Sequence, residues 1–294
     1  MSLKGIAKQT LAILEAGSYE APSGATVTIR DQVAAAIAGT ELFTPDGLDQ
    51  LLHPAEAPER DAANRDAGSG TPRIEVTDET TQIAAHRLTL EEDVDHLVLL
   101  NFASARNPGG GFINGAKAQE EDVTRCSALH PCLTRESVWR YYEVNRATSS
   151  LIYTDHLIYS PAVPFFRTRS RNLIERPFLS AIITAPAPNA GQVLRRDPDA
   201  LPRIEQALRR RAGKILALAE ARGHRNLLLG AWGCGVFQNV PATVADAFGA
   251  WLEGQRFAGA FDRVVFAVYD STKDKRVRRA FEARFGAAQD DAQG

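Results

Sequence analysis

The sequence has few cysteines and little that could hold a metal ion. Its 294 residues include three cysteines, at Cys126, Cys132 and Cys234. Their odd number and their spacing offer neither a disulfide framework nor the ligand pattern of a zinc site. We therefore expect three reduced cysteines, no metal site and no cofactor.

Long apolar runs and an excess of charge of one sign are also absent from the sequence. No run approaches the roughly 18 apolar residues of a membrane span, and the N-terminus has no apolar core of signal-peptide type. The formal net charge is −2, and Lys and Arg are spread along the chain, so no basic face for nucleic acid is predicted. We expect a cytoplasmic protein that recognises any acidic partner locally.

The composition that remains is that of an ordinary folded protein. Hydrophobic residues make up 44% and charged residues 24% of the chain. At this length, that composition is enough to form a buried core without disulfide or metal cross-links. Residues 53–72 differ, because Pro, Ala, Asp, Arg, Gly and Ser replace large apolar side chains there. The chain is therefore predicted to divide into an accessory segment with linker, residues 1–72, packed on a main domain, residues 73–294.

Apolar spacing predicts the helices of the accessory segment. The first helix follows Ser2, its expected N-cap, and its apolar stripe consists of Leu3, Ile6, Ala7, Leu11 and Leu14. A short strand is predicted at 26–30. Asp31 should then cap a helix over 32–38, which Gly39 closes.

Strand and helix patterns alternate after residue 72. Strands are predicted at 73–77, 96–101, 150–158, 179–184, 226–230 and 263–269. Helices are predicted at 79–87, from near Gln119, over 204–219 with Gly223 as the stop, from near Pro241 and from Ser271. The strands at 96–101 and 226–230 are unbroken apolar runs, typical of strands covered on both faces. This pattern predicts an α/β sandwich with a mixed, largely parallel sheet.

Two glycine-rich stretches follow predicted strands, at the sheet edge where α/β proteins bind ligands. The first is residues 101–121, which contain Gly109-Gly110-Gly111. The second is residues 230–237, which contain Gly233 and Gly235. Glycine lets backbone N–H groups approach phosphate oxygens closely, so two facing loops would suit a diphosphate. Alternatively, Gly109 to Gly111 form only a tight turn, and Gly233 and Gly235 only allow Trp232 to pack.

Two adjacent glutamates, Glu120 and Glu121, follow the first glycine stretch. Acidic residues at a helix N-terminus often only stabilise the helix dipole, but here they converge on a loop where charges would repel a phosphate. Adjacent helical residues point about 100° apart, so the two should have different roles. One can hold sugar hydroxyls while the other transfers a proton at a glycosidic oxygen.

These residues resemble the signature of a known enzyme family. The run Gly109-Gly110-Gly111, seven intervening residues and Gln119-Glu120-Glu121 are similar to the GGG-X(6–8)-QEE pattern of poly(ADP-ribose) glycohydrolases. Residues 101–108, 186–189 and 230–239 look like those of the compact bacterial type, a macrodomain with an N-terminal extension. The resemblance implies a macrodomain-like three-layer α/β/α sandwich with an N-terminal accessory segment. It also implies hydrolysis of ribose–ribose O-glycosidic bonds to release ADP-ribose.

The resemblance further implies roles for individual residues. Glu121 is the expected catalytic acid/base, and Glu120 is expected to bind hydroxyls of the reacting ribose. The other expected substrate contacts are Asn107, Gly109, Gly110, Gly111, Gln119, Gly233, Cys234, Gly235, Val236 and Phe237. Phe237 occupies the position of an aromatic residue that stacks on adenine.

The expected partners are poly(ADP-ribose), ADP-ribose and ADP-ribosylated proteins, with no direct contact to nucleic acid or membrane, and we expect a monomer. The first alternative is a macrodomain that binds ADP-ribose without cleaving it. The second is a hydrolase that removes single ADP-ribose units from protein or nucleic acid. The pair of glutamates favours an enzyme, because binding the nucleotide alone needs no proton donor.

Two further patterns have an ordinary structural interpretation. The basic run Arg167, Arg169, Arg171 and Arg176 is typical of an exposed loop, although it could also touch a polyanionic polymer. A Cys/His nucleophile pair could be drawn from His130, Cys132 and His156. Packing or capping is the favoured interpretation of these three residues.

Overall fold

A mixed sheet lies between two layers of helices in the computed structural model. The structure describes residues 2–55, 71–169 and 172–286. Most of the predicted linker, at 56–70, and Arg171 of the basic run lie outside these residues. In the part of the chain that is described, no helix is both long enough and apolar enough to cross a membrane.

The strands within the described residues build one large sheet and one small hairpin. They are β1 Ser18–Glu20, β2 Thr26–Thr28, β3 Glu41–Phe43, β4 Arg73–Thr77, β5 Leu97–Ala103, β6 Leu157–Arg169, β7 Asn172–Pro186, β8 Asn226–Gly230 and β9 Arg263–Ala267. β1 and β2 pair with each other, and the large sheet has the order β3-β6-β7-β5-β8-β9-β4. Neighbours from β7 to β4 are parallel, whereas β3–β6 and β6–β7 are antiparallel. The predicted mixed, largely parallel sheet is confirmed.

Helices cover both faces of this sheet. They are α1 Leu3–Ala16, α2 Arg30–Ala38, α3 Pro45–Leu52, α4 Thr81–His86, α5 Gln119–Cys126, α6 Leu129–Leu133, α7 Arg140–Ala147, α8 Ala190–Arg196, α9 Leu201–Ala221, α10 Pro241–Leu252 and α11 Arg276–Phe285. Leu97 and Leu99 of β5 point into the core under α1, α2 and α4 to α7, while Val98 and Leu100 point into the core under α3 and α8 to α11. Burial on both faces explains the unbroken apolar run of β5.

The N-cap of α1 and the stop of α9 agree with their predicted signals. The hydroxyl of Ser2 accepts the N–H of Gly5 at 3.1 Å, and α1 ends at Gly17 with φ of 68°. Helix α9 is followed by Gly223, as predicted. The predicted start of α2 is wrong, because the helix begins at Arg30 and Asp31 lies in its first turn rather than at the cap.

The predicted strand at 150–158 is largely wrong, since regular pairing begins only at Leu157. Tyr153 has a left-handed backbone with φ of 63°. The carbonyl groups of Ile152 and Tyr153 accept hydrogen bonds from the buried guanidinium group of Arg211, at 3.1 and 3.3 Å. The side chain of Arg211 on α9 thus provides hydrogen-bond donors for these carbonyl groups, in place of the N–H groups of a neighbouring strand.

The last helix begins at Arg276 rather than at Ser271. The carboxylate of Asp270 accepts the N–H of Thr272 at 2.9 Å and that of Val277 at 2.8 Å. These bonds hold the intervening residues in a turn, so the helix starts five residues later than its composition suggests.

The prediction of an exposed basic run is wrong for Arg167. This residue lies fully buried in β6 and donates to Oε1 of Gln9 at 2.9 Å. Arg176 is exposed.

Residues 41–52 enter both the sheet and its helical cover. β3, which the sequence patterns did not predict, pairs with β6 at the sheet edge. The buried ammonium group of Lys214 donates to the carboxylate of Asp49 at 2.9 Å and to the carbonyl of Pro45 at 3.3 Å. These contacts tie α3 to α9, while the division of the chain at residue 72 stays a prediction.

The carboxyl ends of the parallel strands meet at one edge of the sheet. β5 leads into residues 104–111, and its neighbour β8 leads into residues 231–240. We call these segments the β5 loop and the β8 loop. Because β5 and β8 are paired and parallel, the two glycine stretches predicted to act together lie side by side at the edge where such sheets bind ligands.

Candidate active site

Gln119 fixes the start of α5 against the end of β5. Its Oε1 accepts the N–H of Phe102 at 2.8 Å, while its Nε2 donates to the carbonyl of Leu100 at 2.8 Å and to the hydroxyl of Thr81 at 3.1 Å. Both ends of the amide are therefore engaged within the protein. Gln119 orients the helix that carries the two glutamates, and its direct contact with substrate stays a prediction.

Glu120 lies beneath the β5 loop and is only 3% exposed. One carboxylate oxygen accepts from Nδ2 of Asn101 at 3.2 Å, and the other accepts the N–H of Ser104 at 2.7 Å. Asn101 also donates to the hydroxyl of Thr184 on β7, at 3.2 Å. Two neighbouring strands thus hold this carboxyl group in place.

Burial raises the pKa of Glu120 from its ordinary value of 4.5 to about 8. Hydrogen bonds from Ser104, Asn101 and Gly109 favour the ionised form, and the charge of Glu121 opposes it, but the loss of solvation is the largest effect. A carboxyl group that keeps its proton near neutral pH can donate one hydrogen bond and accept another. Glu120 is therefore suited to holding sugar hydroxyls.

We expect Glu120 to make the free energy of unfolding depend on pH. Because its pKa in the folded protein, about 8, lies above its ordinary value of 4.5, the folded state binds more protons within this window, and stability falls as pH rises through it. Below pH 4.5 the ionisation of Glu120 does not change the free energy of unfolding, and above its folded-state pKa of about 8 the loss of stability is complete. Glu120→Gln should remove this dependence, which urea unfolding at both ends of the window measures. A variant that loses as much stability as the wild type across the window would contradict the expectation.

Glu121 directs its carboxylate at the triple glycine and is 8% exposed. Its Oε1 accepts the N–H of Gly111 at 2.9 Å. A Cβ atom added to Gly110 would overlap this same oxygen and would lie 3.1 Å from Oε2 of Glu120. Both carboxylates therefore converge on one point beside Gly110 while keeping different partners, and the different roles predicted for them stay a prediction.

The backbone of the triple glycine turns its N–H groups towards the protein. Gly110 donates to the carbonyl of Asn107 at 2.9 Å, and Gly111 donates to Oε1 of Glu121 at 2.9 Å. Gly109 and Gly110 have φ of 68° and 60°, a conformation that residues with a Cβ rarely adopt. The N–H groups of Gly110 and Gly111 are thus engaged by the protein, while contact of Gly109, Gly110 and Gly111 with substrate stays a prediction.

The β8 loop presents its backbone outward. Among the described residues, no protein acceptor takes the N–H groups of Gly235, Val236 and Phe237. Val236 is 76% exposed, and a Cβ atom on Gly235 would meet nothing within 4 Å. Successive N–H groups in an open loop form the kind of concavity that binds anions. This loop can therefore hold a diphosphate.

A buried frame supports the β8 loop from below. Trp232 is fully buried and donates from Nε1 to the carbonyl of Ala185 at 3.0 Å. Nδ2 of Asn239 donates to the carbonyl groups of Pro188 and Gly233, at 2.8 and 3.0 Å. The residues that follow β7 thus fix the shape of the loop.

Phe237 places an aromatic ring at the end of this loop. The ring is half-buried and lies at a tilt against Tyr153, with 6.1 Å between the ring centroids. The carbonyl of Phe237 accepts the N–H of Gly191 at 3.0 Å, which ties the backbone to α8. A partly exposed ring beside free amides is suited to a flat base attached to a diphosphate.

Sequence reasoning did not single out Ser104 and Thr184, and it placed Asn101 only at a strand end. All three surround Glu120, directly or through one neighbour. Asn101 has a signal in the sequence, since it is a polar residue in the otherwise apolar strand β5. Polar groups buried in a strand need partners, and here the partner is a functional carboxyl group.

The cysteines have no catalytic geometry. All three are free, and burial raises the pKa of Cys132 to about 11 and that of Cys234 to about 12. The ring of His130 packs on Phe112, with 4.8 Å between centroids. The packing interpretation of this region is therefore confirmed, while substrate contact at Cys234 stays a prediction. Within residues 2–55, 71–169 and 172–286, no group of His, Cys, Asp and Glu is arranged to hold a metal ion.

Comparison with known proteins identifies the family of the chain. Residues 7–168 match the family model described as the catalytic domain of microbial-type PARG. The chain is similar to the crystal structure of poly(ADP-ribose) glycohydrolase from Thermomonospora curvata, with 46% identity, a TM-score of 0.88, and coverage of 96% of this chain and 99% of that chain. The structure of that enzyme bound to the inhibitor ADP-HPD matches with 45% identity, a TM-score of 0.86 and the same coverage.

A second similar structure is that of poly(ADP-ribose) glycohydrolase from Deinococcus radiodurans in complex with ADP-ribose. Its identity is 46% and its TM-score 0.76, with coverage of 86% of this chain and 96% of that chain. Comparison with curated proteins gave no match. Because the family model spans more than half of the chain and the T. curvata structure spans nearly all of it, the chain belongs to the microbial-type poly(ADP-ribose) glycohydrolases.

Proposed function

We propose that this glycoside hydrolase cleaves the ribose–ribose O-glycosidic bonds of poly(ADP-ribose) with Glu121 as its general acid/base. The observation that carries the proposal is the convergence of two buried carboxyl groups on one point beside Gly110. Their partners differ, since within the described residues Glu120 accepts hydrogen bonds from Asn101 and Ser104, whereas Glu121 accepts one from the backbone of Gly111. One carboxyl group is thus fixed for binding and the other is left for proton transfer.

The reaction needs a proton at the leaving 2′ oxygen and a water molecule at the anomeric carbon. The carboxyl group of Glu121 gives its proton to the 2′ oxygen as the bond from the anomeric carbon breaks, through an oxocarbenium-like state. The resulting carboxylate takes a proton from water as the water oxygen bonds to the anomeric carbon, which restores the acid. Proton transfer of this kind contributes about 10² to 10⁴ in rate, and positioning of the substrate contributes much of the rest.

Each loop binds a different part of ADP-ribose in this proposal. The distal ribose, whose anomeric carbon reacts, lies against Glu120, Asn107 and the triple glycine. The diphosphate accepts hydrogen bonds from the N–H groups of Gly235, Val236 and Phe237 in the β8 loop, which have no acceptor within the described part of the chain. Adenine stacks on the ring of Phe237. The two glycine stretches therefore have separate tasks, although both were expected from sequence to approach the diphosphate.

Replacing Phe237 by Ala is expected to weaken the affinity for ADP-ribose by about 1–3 kcal/mol, the usual contribution of an aromatic ring stacked on a base. Isothermal titration calorimetry of the variant measures this loss. Phe237→Tyr is the matched control and should keep the affinity, because it retains the ring. An unchanged affinity in Phe237→Ala would rule out stacking at this residue.

The activity is tested by incubating the protein separately with poly(ADP-ribose) and with protein carrying single ADP-ribose units. We expect free ADP-ribose from the polymer. Release only from the singly modified protein would favour a mono-ADP-ribosyl hydrolase. Binding of ADP-ribose without release from either substrate would favour a macrodomain that only binds the nucleotide.

We also propose that the protein acts as a monomer in the bacterial cytoplasm, on polymer attached to ADP-ribosylated proteins. Similar structures from T. curvata and D. radiodurans support a bacterial setting. A formal net charge of −2 and dispersed basic residues give no reason for direct nucleic-acid contact. In this proposal residues 1–72 form an accessory segment that packs on a catalytic domain, residues 73–294.

A further inference from the structure

Arg146, near the end of α7, binds the backbone of the β5 loop. Its Nε and Nη2 both donate to the carbonyl oxygen of Arg106, at 2.9 and 2.6 Å. Its guanidinium carbon lies 4.9 Å from the ring centroid of Trp139 and 5.8 Å from that of Tyr142. Two hydrogen bonds and two aromatic rings therefore fix one planar group.

The base on which this guanidinium rests is rigid. Tyr141 and Tyr142 are fully buried and pack edge to face, with 4.8 Å between ring centroids. Asn145 ties α7 to the following segment, because its Nδ2 donates to the carbonyl of Tyr141 and its Oδ1 accepts the N–H of Thr154. Arg146 thus connects the core of the protein to an irregular loop.

The loop that Arg146 holds reaches both glutamates. Ser104, two residues before Arg106, donates its N–H to Glu120, and its hydroxyl accepts the N–H groups of Arg106 and Asn107 at 3.2 and 3.0 Å. Gly111, at the other end of the loop, donates its N–H to Glu121 at 2.9 Å. The carbonyl of Arg106 lies between these contacts, so a shift there moves groups on both sides of the reacting sugar.

We propose that Arg146 is a positioning residue that sets the β5 loop at the distance from the two glutamates that the distal ribose requires. The inference rests on the proposed function, in which the distal ribose lies against this loop and the rest of ADP-ribose against the β8 loop. A lysine cannot take its place. Its ammonium group is not planar, so it cannot donate two parallel N–H groups to one carbonyl while it stacks on aromatic rings. We therefore expect Arg146→Lys, which keeps the charge, to lose the positioning of the loop just as the neutral Arg146→Met does.

The test compares Arg146→Lys and Arg146→Met with the control Arg140→Met. Arg140 is on the same helix, but its side chain is 68% exposed and makes a 3.7 Å ion pair with Glu143 rather than touching the loop. Affinities are measured for ADP-ribose and for ADP, which lacks the distal ribose, and kcat is measured on poly(ADP-ribose). In both Arg146 variants we expect kcat and the affinity for ADP-ribose to fall, kcat by about 10- to 100-fold, the scale of a misplacement near 1 Å. The affinity for ADP and all properties of the control should be unchanged.

A wild-type kcat in either Arg146 variant would overturn the proposal. An equal loss of affinity for ADP and ADP-ribose would also overturn it, because it would indicate general damage rather than a displaced ribose site. Failure of the proposed function is distinguishable, since it would be seen in the wild-type protein as no release of ADP-ribose from polymer. Activity of Glu121→Gln would likewise count against the proposed mechanism and not against the role of Arg146.

Discussion

Replacing Glu121 by Gln is expected to abolish hydrolysis of poly(ADP-ribose) and to leave the affinity for ADP-ribose nearly unchanged. The amide has almost the shape of the carboxyl group, and its oxygen can still accept the N–H of Gly111, which is the contact that holds Glu121 now. It cannot give a proton to the leaving oxygen or take one from water. The proton-transfer contribution of about 10² to 10⁴ in rate should therefore be lost. Release of ADP-ribose from polymer and calorimetry with ADP-ribose measure the two halves of the expectation.

A matched control for this variant is Glu143→Gln, which makes the same chemical change on a 52% exposed side chain of α7. It should keep full activity. Hydrolysis by Glu121→Gln at the control's rate would eliminate Glu121 as the acid/base. If Glu120→Gln were inactive while Glu121→Gln remained active, the roles assigned to the two glutamates would have to be exchanged.

Replacing Gly110 by Ala is expected to reduce kcat by about 10²-fold or more, on the scale of a misplaced reacting group. The added Cβ would overlap Oε1 of Glu121 and crowd Oε2 of Glu120, at 3.1 Å. Gly110 also has φ of 60°, where a residue with a Cβ is less stable by roughly 1–2 kcal/mol. The loop or the carboxylates must move, and both belong to the site. Steady-state kinetics and urea unfolding separate the effects on catalysis and on stability.

Gly259→Ala is the control for backbone strain alone. Gly259 has φ of 71°, and a Cβ atom there would meet nothing within 4 Å. It precedes β9, at the end of the sheet away from the two loops. We expect this variant to lose similar stability from the left-handed backbone and to keep full activity. If Gly110→Ala had a wild-type kcat, the convergence of the glutamates on Gly110 would have no catalytic importance.

Much of the fold could be predicted from local patterns along the chain. The predicted strands at 73–77 and 226–230 have the observed bounds of β4 and β8, and the cap of α1 lies at Ser2. Such signals depend on neighbouring residues. Two of the errors have another cause, because distant partners decided the outcome. Arg211 satisfies the backbone where a strand was predicted, and burial in β6 removes Arg167 from the basic surface predicted around it.

The sequence by itself determined which chemical groups are present and in what order: the triple glycine, the glutamate pair at the start of a helix, and a second glycine stretch after another apolar strand. It could not determine their environments. Only the tertiary structure decided that burial raises the pKa of Glu120 and that the N–H of Gly111 binds Glu121. It also decided that, among the described residues, no acceptor takes the N–H groups of Gly235, Val236 and Phe237 in the β8 loop. The physical reason is that solvation and hydrogen-bond partners come from groups remote in the chain, as when Asn101 of β5 joins Glu120 to Thr184 of β7.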